Sequence, residues 1–189
     1  EKRKLYEEGK KRLAQNGYYE IGMDHFALQT DSMYQAYQEK KLHRNFMGYT
    51  SGKTQVMIGL GVSSISDSWY SFAQNIKSVE EYYECLEQNE LPVFKGHILN
   101  QEDLIIREHI LNLMCHFYTS WKNNKLYINE LPEIINSLKE MEEDGLVLLL
   151  DDAITVTEKG KPFVRNICMA FDLRLKRKIP ETRLFSMTI

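Results

Sequence analysis

Cysteine is scarce in this sequence, and the three cysteines form no metal-binding pattern. Cys85, Cys115 and Cys168 are widely separated, so the chain has neither the C-x₂-C pair of a zinc ribbon nor the closely spaced thiols of an iron–sulfur loop. An odd number of cysteines without regular spacing argues against a disulfide-stapled secreted domain and favours a reducing compartment, so a cytoplasmic protein is expected. Cys115 and Cys168 lie in apolar stretches and are expected to be small core residues.

The sequence also lacks a long hydrophobic run and an excess of charge of one sign. No apolar stretch approaches the roughly 20 residues of a transmembrane helix, and the Lys/Arg/Glu-rich start is no signal peptide. A net charge of −3 argues against a general polyanion binder, and 11% aromatic residues argue against disorder. We expect a globular protein without a membrane span. Its first residue, Glu1, stands inside a helical pattern, which suggests a fragment of a longer protein.

Residues 1–96 mix helical and strand patterns, as expected for an α+β protein. Asn16-Gly17 ends the first helical pattern, and Ser78 followed by Glu81 is a capping box for the last one. The patterns predict a helix over 1–15, a strand over 18–23, a helix over 31–42, a turn-rich loop over 45–52, a buried strand over 56–62 and a helix over 78–88.

Pro92 and Gly96 break the pattern, and we expect a domain boundary near residue 97. Residues 97–189 then form a second domain, whose patterns predict helices over 101–118, 130–144 and 158–175 and a strand pair over 146–150 and 153–157. Helices followed by a hairpin and a closing helix indicate a winged-helix-like domain. Its expected core positions include Leu131, Ile134, Ile135, Leu138 and Met141.

A winged-helix pattern raises the possibility of nucleic-acid binding, but charge argues against it. Residues 129–144 contain a single base, Lys139, against these acids: Glu130, Glu133, Glu140, Glu142, Glu143 and Asp144. A surface of this charge is repelled by phosphates. The basic residues of the tail, Arg174, Lys176, Arg177 and Lys178, are therefore expected to be solvated or to make intramolecular contacts, and no nucleic-acid partner is expected.

Two pairs of adjacent polar residues are candidates for chemistry. Asp24 and His25 follow the first predicted strand, where they could act as an acid/base or ligand pair. His43 and Arg44 precede the turn-rich loop, where they could neutralise carboxylates. Capping of a strand end and a helix end is the alternative for both pairs.

Two further patterns are weaker. The segment from Gly59 to Ser64 nearly fits the G-x-G-x-x-G motif of dinucleotide sites, but the third glycine is missing, so a strand that borders another ligand is preferred. His109 and His116 share a helix face, yet no third ligand accompanies them, so metal binding is not expected.

Three long blocks of sequence resemble the C-terminal half of the oxygen-independent coproporphyrinogen III oxidases. The blocks are YEIGMDHFA at 19–27, LHRNFMGYT at 42–50 and GLGVSSIS at 59–66, and shorter matches are AQN at 73–75, RNICM at 165–169 and FD at 171–172. The matches span nearly the whole chain in the right order. The chain is therefore identified as a member of this family of radical S-adenosylmethionine (SAM) enzymes of haem biosynthesis.

The resemblance implies a parent enzyme that oxidatively decarboxylates two propionates of coproporphyrinogen III to vinyl groups, giving protoporphyrinogen IX. In the family a C-x₃-C-x₂-C motif holds the [4Fe–4S] cluster that reduces SAM to a radical. This chain lacks that motif. The cluster, the principal SAM-binding strands and the catalytic residues are therefore expected in an N-terminal barrel outside this sequence, and no cofactor is expected on this fragment. The fragment would comprise the last elements of the partial barrel and the winged-helix-like domain, and a monomer is expected.

The resemblance also assigns site residues. A second SAM molecule in the family is contacted by residues that match Phe46 and Ile65 here. Met47 stands where the family often has glutamine, and a thioether cannot replace the hydrogen-bond donors of an amide.

The four polar candidates, Asp24, His25, His43 and Arg44, are expected on the substrate side of the parent enzyme, where they would orient propionates. A related radical SAM haem chaperone is the alternative family, but Gly22 to His25 interrupt the Tyr-Glu-Ile-Ser-Asn-Phe-Ala block that its members carry, which favours the oxidase.

Overall fold

The computed structural model describes residues 1–177, which contain eight α-helices and ten β-strands. The helices are α1 (Lys2–Gln15), α2 (Ser32–Gln38), α3 (Val79–Glu87), α4 (Gln101–His116), α5 (Leu131–Ser137), α6 (Lys139–Glu143), α7 (Val164–Met169) and α8 (Leu173–Arg177). The strands are β1 (Tyr18–Gly22), β2 (His25–Leu28), β3 (His43–Asn45), β4 (Gly48–Thr50), β5 (Ile65–Asp67), β6 (Ser71–Asn75), β7 (Val93–Ile98), β8 (Tyr118–Ser120), β9 (Val147–Leu150) and β10 (Ala153–Val156). This is the α+β class that the sequence predicts.

The chain forms two compact units. The first unit contains residues 1–52 together with the described chain from Ile106, and the second unit contains Lys53–Ile105. This division differs from the boundary expected near residue 97, which falls inside β7. Pro92 and Gly96 do not interrupt the structure there, because the Pro92 carbonyl accepts a hydrogen bond from Ile76 N–H and Gly96 pairs with β6. The expected domains 1–96 and 97–189 are therefore not the compact units.

Two β-hairpins and α2 build a small core in the first unit. β1 pairs with β2 through a turn at Met23–Asp24, and β3 pairs with β4 through a turn at Phe46–Met47. The carboxylate of Asp31 caps α2. The buried residues of this core are Ile21, Ala27, Ala36, Leu42, Tyr49 and Cys115, the last from α4. The sequence predicted β1 and α2, but it missed β2 and read the second hairpin as a loop.

The remainder of the first unit has the predicted winged-helix-like arrangement. β8, β10 and β9 form an antiparallel sheet with β10 in the centre, and Asp151-Asp152 connect the last two strands as expected. This part of the unit buries apolar side chains from helices and from the sheet, and its fully buried residues include Leu113, Leu131, Ile134, Leu138, Ile154, Ile167 and Phe171. Ile135 and Met141 are only partly buried.

Two of the predicted helices are interrupted. The one expected over 130–144 divides into α5 and α6 at Leu138, after the Ser137 hydroxyl donates a hydrogen bond to the Ile134 carbonyl. The one expected over 158–175 consists of a 3₁₀ turn that contains Pro162, then α7 and α8. Just before this 3₁₀ turn, the N–H of Gly160 donates a hydrogen bond to the Thr157 hydroxyl at 3.0 Å. Both predictions were right in type and wrong in length.

The second unit is built on the antiparallel sheet β5–β6–β7, which the sequence did not predict. The Ser78 hydroxyl caps α3 by accepting the N–H of Glu81. No helix in the described part of the chain is long and apolar enough to cross a membrane.

The prediction of a buried strand over 56–62 is wrong. This segment makes one bridge, from Met57 to Asp67, and belongs to no sheet. Val56, Ile58 and Leu60 are exposed, while Gly59 lies so close to Ile65 that a Cβ would stand 2.8 Å from its carbonyl oxygen. Gly59 therefore serves close backbone packing, but the apolar side chains around it are exposed to solvent.

Candidate functional site

The turn between β1 and β2 is strained. Met23 and Asp24 have φ angles of 40° and 66°, which makes this a type I′ hairpin turn, a turn that favours Asn-Gly or Gly-Gly. A methionine in the left-handed region costs about 1–2 kcal/mol. Strained backbone of this kind concentrates at functional sites, where the surrounding structure holds it in place. The structure thus places Asp24 in a strained turn and His25 at the start of a strand rather than at a strand end.

His25 begins β2 and lies against the second hairpin. Its Nδ1 is 2.9 Å from the carbonyl oxygen of Met23, so Nδ1–H donates and the neutral ring carries its lone pair on Nε2. Gly48 makes room for this nitrogen, because a Cβ there would stand 2.8 Å from Nε2. The His25 ring meets the Tyr49 ring edge-on, with 5.1 Å between centroids.

Arg44 lies on the other side of the same tyrosine. Arg44 in β3 and Tyr49 in β4 are directly opposite each other in the hairpin, and the guanidinium carbon is 4.7 Å from the ring centroid. Its Nη1 is buried and has no hydrogen-bond partner within the part of the chain that the structure describes. A buried N–H of a cation without an acceptor is costly, which makes this atom a candidate contact for an anion.

No carboxylate neutralises Arg44 among the described residues. The titratable groups that interact with its charge are Tyr49 and the thiols of Cys115 and Cys168. Burial raises the pKa of both thiols to about 12, against the lowering effect of the Arg44 charge. Both thiols are therefore neutral at physiological pH, and the positive charge of Arg44 is left uncompensated.

Tyr49 is the residue that sequence reasoning missed as a site component. It is 4% exposed, and its hydroxyl donates a hydrogen bond to the Met114 carbonyl oxygen at 2.8 Å. Burial raises its pKa, so the phenol stays neutral beside Arg44. Its place opposite Arg44 in a hairpin is the signal that could have found it, had residues 43–50 been recognised as two strands.

The other two polar candidates are placed differently. Asp24 is exposed at the strained turn, and His43 is buried in β3 opposite Thr50. Because successive side chains of a strand point to opposite faces, His43 and Arg44 do not share a face. The structure thus brings the side chains of His25 and Arg44 against Tyr49. Asp24 and His43 are their neighbours along the chain.

The residues expected to contact a second SAM fall in both units. Phe46 and Met47 form the tip of the β3–β4 hairpin, where they are 53% and 83% exposed. The Asn45 side chain accepts the N–H of Met47 at 2.8 Å and shapes the turn. Ile65 begins β5 in the second unit and is partly buried.

The two glycine amides of the segment 59–64 already have hydrogen-bond partners. Gly59 N–H donates to the Ser66 hydroxyl at 3.0 Å, and Gly61 N–H donates to the Tyr82 hydroxyl at 3.1 Å. The side-chain amide of Asn75 donates to the carbonyl oxygens of both glycines. The engaged glycine amides, like the missing third glycine, therefore argue against a dinucleotide-binding loop.

His109 of α4 has both ring nitrogens engaged in hydrogen bonds. His109 is fully buried, its Nε2–H donates to the Leu126 carbonyl at 2.8 Å, and its Nδ1 accepts from the Thr119 hydroxyl at 2.8 Å. Burial lowers the pKa of both His109 and His116. No group of three metal-ligating side chains occurs among the residues that the structure describes.

The comparisons with known proteins agree with the sequence resemblance. The chain is 36% identical over 190 residues to the oxygen-independent coproporphyrinogen III oxidase of Synechocystis, an alignment that covers 94% of this chain and 40% of that enzyme. It is 38% identical over 171 residues to the enzyme of the same name from Escherichia coli, covering 88% of this chain and 37% of that enzyme. No protein-family model matches the chain.

A solved structure gives the same answer. The chain superimposes on coproporphyrinogen III oxidase (HemN) from Escherichia coli, described as a radical SAM enzyme, with a TM-score of 0.82 and 35% identity, covering 90% of this chain and 41% of that one. The chain is homologous to the oxygen-independent coproporphyrinogen III oxidases. It spans about two-fifths of the length of the relatives it matches. The family resemblance drawn from the three blocks is thus confirmed, and so is the α+β architecture.

Proposed function

We propose that this chain is the C-terminal part of an oxygen-independent coproporphyrinogen III oxidase. The whole enzyme would oxidatively decarboxylate two propionates of coproporphyrinogen III to vinyl groups, giving protoporphyrinogen IX. Similarity to enzymes of that name supports the reaction. The observation that carries the role of this chain is the buried, unpartnered Nη1 of Arg44, since the substrate is a multiple carboxylate.

The two hairpins would form part of the substrate side. Arg44 would bind one propionate carboxylate, and His25 Nε2 would offer a hydrogen-bond acceptor beside it. Asp24 is exposed next to His25 and would belong to the same proposed surface, whereas His43 is buried on the face of β3 opposite to that of Arg44 and would lie behind this surface.

The iron–sulfur cluster would be held outside this chain, because its thiols do not fit one. Cys115 and Cys168 are buried with raised pKa values, and a cluster needs thiolates that converge. Held there, the cluster would supply the electron needed to cleave SAM. Phe46 and Ile65 would contact a second SAM. The Phe46 ring is exposed at a hairpin tip, and the neighbouring Met47 offers no hydrogen-bond donor.

The proposal includes a cytoplasmic, monomeric enzyme without a nucleic-acid partner. The odd set of free cysteines supports a reducing compartment. The helices that a winged-helix protein would present to DNA, α5 and α6, expose Glu133, Glu140, Glu142 and Glu143, which repel phosphates. The Arg177 side chain pairs with Glu130 at 2.9 Å, so this base of the tail makes an intramolecular contact, while Lys178 lies outside the described residues.

The test uses the full-length enzyme that contains this chain, purified anaerobically. With coproporphyrinogen III, SAM and a reductant, protoporphyrinogen IX and 5′-deoxyadenosine are expected. Arg44→Ala is expected to raise the substrate KM or lower turnover while 5′-deoxyadenosine is still formed. Arg12→Ala, which removes an exposed cation of α1 that pairs with Glu8, is the matched control and is expected to behave as wild type.

Each outcome is decisive. Absence of protoporphyrinogen IX from an enzyme with an intact cluster would overturn the proposed reaction, and tight binding of haem in its place would favour the chaperone. Unchanged kinetics of Arg44→Ala would remove Arg44 from the substrate side and leave the reaction standing.

A further inference from the structure

The guanidinium of Arg44 lies over an aromatic ring rather than against a carboxylate. Its guanidinium carbon lies 4.7 Å from the Tyr49 ring centroid, and none of the described residues pairs with it as a carboxylate. Some cations that lie over rings in the same unit have an acidic partner as well. Arg3, 5.7 Å from the Tyr6 ring, also pairs with Glu7, and Lys161, 4.9 Å from the Phe117 ring, also pairs with Glu158.

The choice of a ring has a chemical consequence. A carboxylate partner would occupy the N–H donors of the guanidinium and cancel its charge. An aromatic face attracts the cation through its quadrupole and leaves the N–H donors and the net charge available. The guanidinium of Arg44 is thereby oriented without being neutralised.

Tyr49 itself is fixed on three sides. Its hydroxyl donates to the Met114 carbonyl of α4 at 2.8 Å. The His25 ring abuts it at 5.1 Å, and the backbone of Gly22 lies against its hydroxyl, where a Cβ would come within 2.7 Å of the oxygen. Such a ring cannot move with the flexible arginine, so its position sets that of the guanidinium.

We propose that Tyr49 is a positioning residue that holds Arg44 as a preorganised, un-neutralised receptor for a substrate carboxylate. This inference rests on the proposed function, in which Arg44 meets a propionate. Tyr49 does not contact the carboxylate; its ring face orients and retains the cation, and its hydroxyl anchors the ring to α4.

The 189-residue chain allows a direct test by NMR with ¹⁵N-labelled arginine. Sodium propionate, the substrate side chain alone, is titrated at constant ionic strength while the Arg44 Nε–H signal is followed. Propionamide, which has the same shape and no charge, is the control ligand. Arg3→Gln is the control variant, because it also removes a cation that lies over a tyrosine ring.

The variants at Tyr49 separate its ring from its hydroxyl. Tyr49→Phe keeps the ring and is expected to keep both the ring-current shift of Arg44 and the propionate affinity within about two-fold. Tyr49→Leu removes the ring and is expected to abolish the ring-current shift and to weaken propionate binding about five-fold or more. Propionamide is expected to leave the Arg44 signal unchanged in every protein, and Arg3→Gln is expected to bind propionate as wild type does.

The outcomes distinguish this inference from the proposed function. If folded Tyr49→Leu binds propionate as wild type does, Tyr49 does not position Arg44, but Arg44 remains the carboxylate receptor. If propionate leaves the Arg44 signal of wild type unchanged, both this inference and the Arg44 part of the proposed function fail, while the activity assay still tests the reaction. If Tyr49→Leu does not fold, Tyr49→Phe decides: loss of propionate affinity in that variant overturns the role of the ring.

Discussion

The backbone of Gly22 lies against the hydroxyl of Tyr49, so a Cβ at residue 22 would come within 2.7 Å of that oxygen. This contact joins the strained β1–β2 turn to the second hairpin. Gly22 also has a φ of 154°, outside the range that other residues readily adopt. The two hairpins can pack only with glycine at this position.

Gly22→Ala is therefore expected to lower the free energy of unfolding by about 1–3 kcal/mol, from backbone strain and from displacement of Tyr49. Urea denaturation followed by circular dichroism measures the change. Gly9→Ala is the control, since nothing lies within 4 Å of a Cβ at this α1 position, and it is expected to stabilise the helix by about 0.5–1 kcal/mol. Equal effects of the two substitutions would contradict the close packing of the hairpins.

Leu138 lies at the junction of α5 and α6 and is 0% exposed. Leu138→Ala is expected to cost about 2–5 kcal/mol in free energy of unfolding, because it removes buried methyl groups and leaves a cavity. Leu148→Ala, at a side chain of β9 that is 52% exposed, is the matched control and is expected to change stability by less than about 0.5 kcal/mol. A loss below about half a kcal/mol for Leu138→Ala would place this leucine outside the core.

The stability of the chain is expected to depend on His109 below neutral pH. Burial lowers the pKa of His109 in the folded state, so below the unfolded value of about 6.5 only the unfolded chain takes up the proton. The free energy of unfolding should be at its full value above pH 6.5 and fall as the pH drops below it. The loss of stability levels off only when the pH falls below the folded-state pKa, where both states carry the proton.

Unfolding free energies measured by urea denaturation between pH 8 and pH 5 test this expectation. His109→Gln should be less stable at pH 8, because it disrupts the bonds to Thr119 and Leu126, and should lose stability less steeply toward pH 5. His116, whose pKa burial also lowers, provides the comparison, since His116→Gln should leave the contribution of His109 in place. If the free energy of unfolding of His109→Gln falls toward pH 5 as steeply as that of wild type, this histidine does not cause the loss of stability in acid.

Local chemistry explains which parts of the fold could be predicted from the sequence. The capping serine at 78, the apolar face of α4 and the Asp151-Asp152 turn each encode their structure within a few residues. The sheet β5–β6–β7 carries no such signal, because its side chains are mostly half-exposed and its turn contains Trp69 with a positive φ. The exposed segment at 56–62 was misread because an apolar run by itself does not reveal what covers it.

The candidate site was predictable only in part for a related reason. His25 and Arg44 stand out as ionisable residues in long matching blocks. They are linked through the Tyr49 ring, which belongs to the same hairpin as Arg44 and to a different hairpin from His25. The turn at Met23–Asp24 was missed because its residues are not those that normally signal a type I′ turn. Tertiary packing, rather than local sequence preference, holds that turn in place.

The thiols provide the last prediction. Cys115 and Cys168 are buried and Cys85 is partly exposed, and burial raises the pKa of the first two to about 12. Buried neutral thiols react slowly and are poor ligands for iron. In the native chain the thiol reagent DTNB is expected to label Cys85 first, and in denaturant all three cysteines.

Anaerobic incubation of the native 189-residue chain with iron and sulfide should accordingly give no stable iron–sulfur absorption, and addition of SAM and a reductant should yield no 5′-deoxyadenosine. Cys115→Ala and Cys168→Ala should leave both results unchanged, since neither thiol is available as a thiolate. A reconstituted cluster that either substitution abolished would mean that the two thiols leave the core to bind iron. Cluster chemistry would then belong to this chain rather than to the remainder of the longer enzyme.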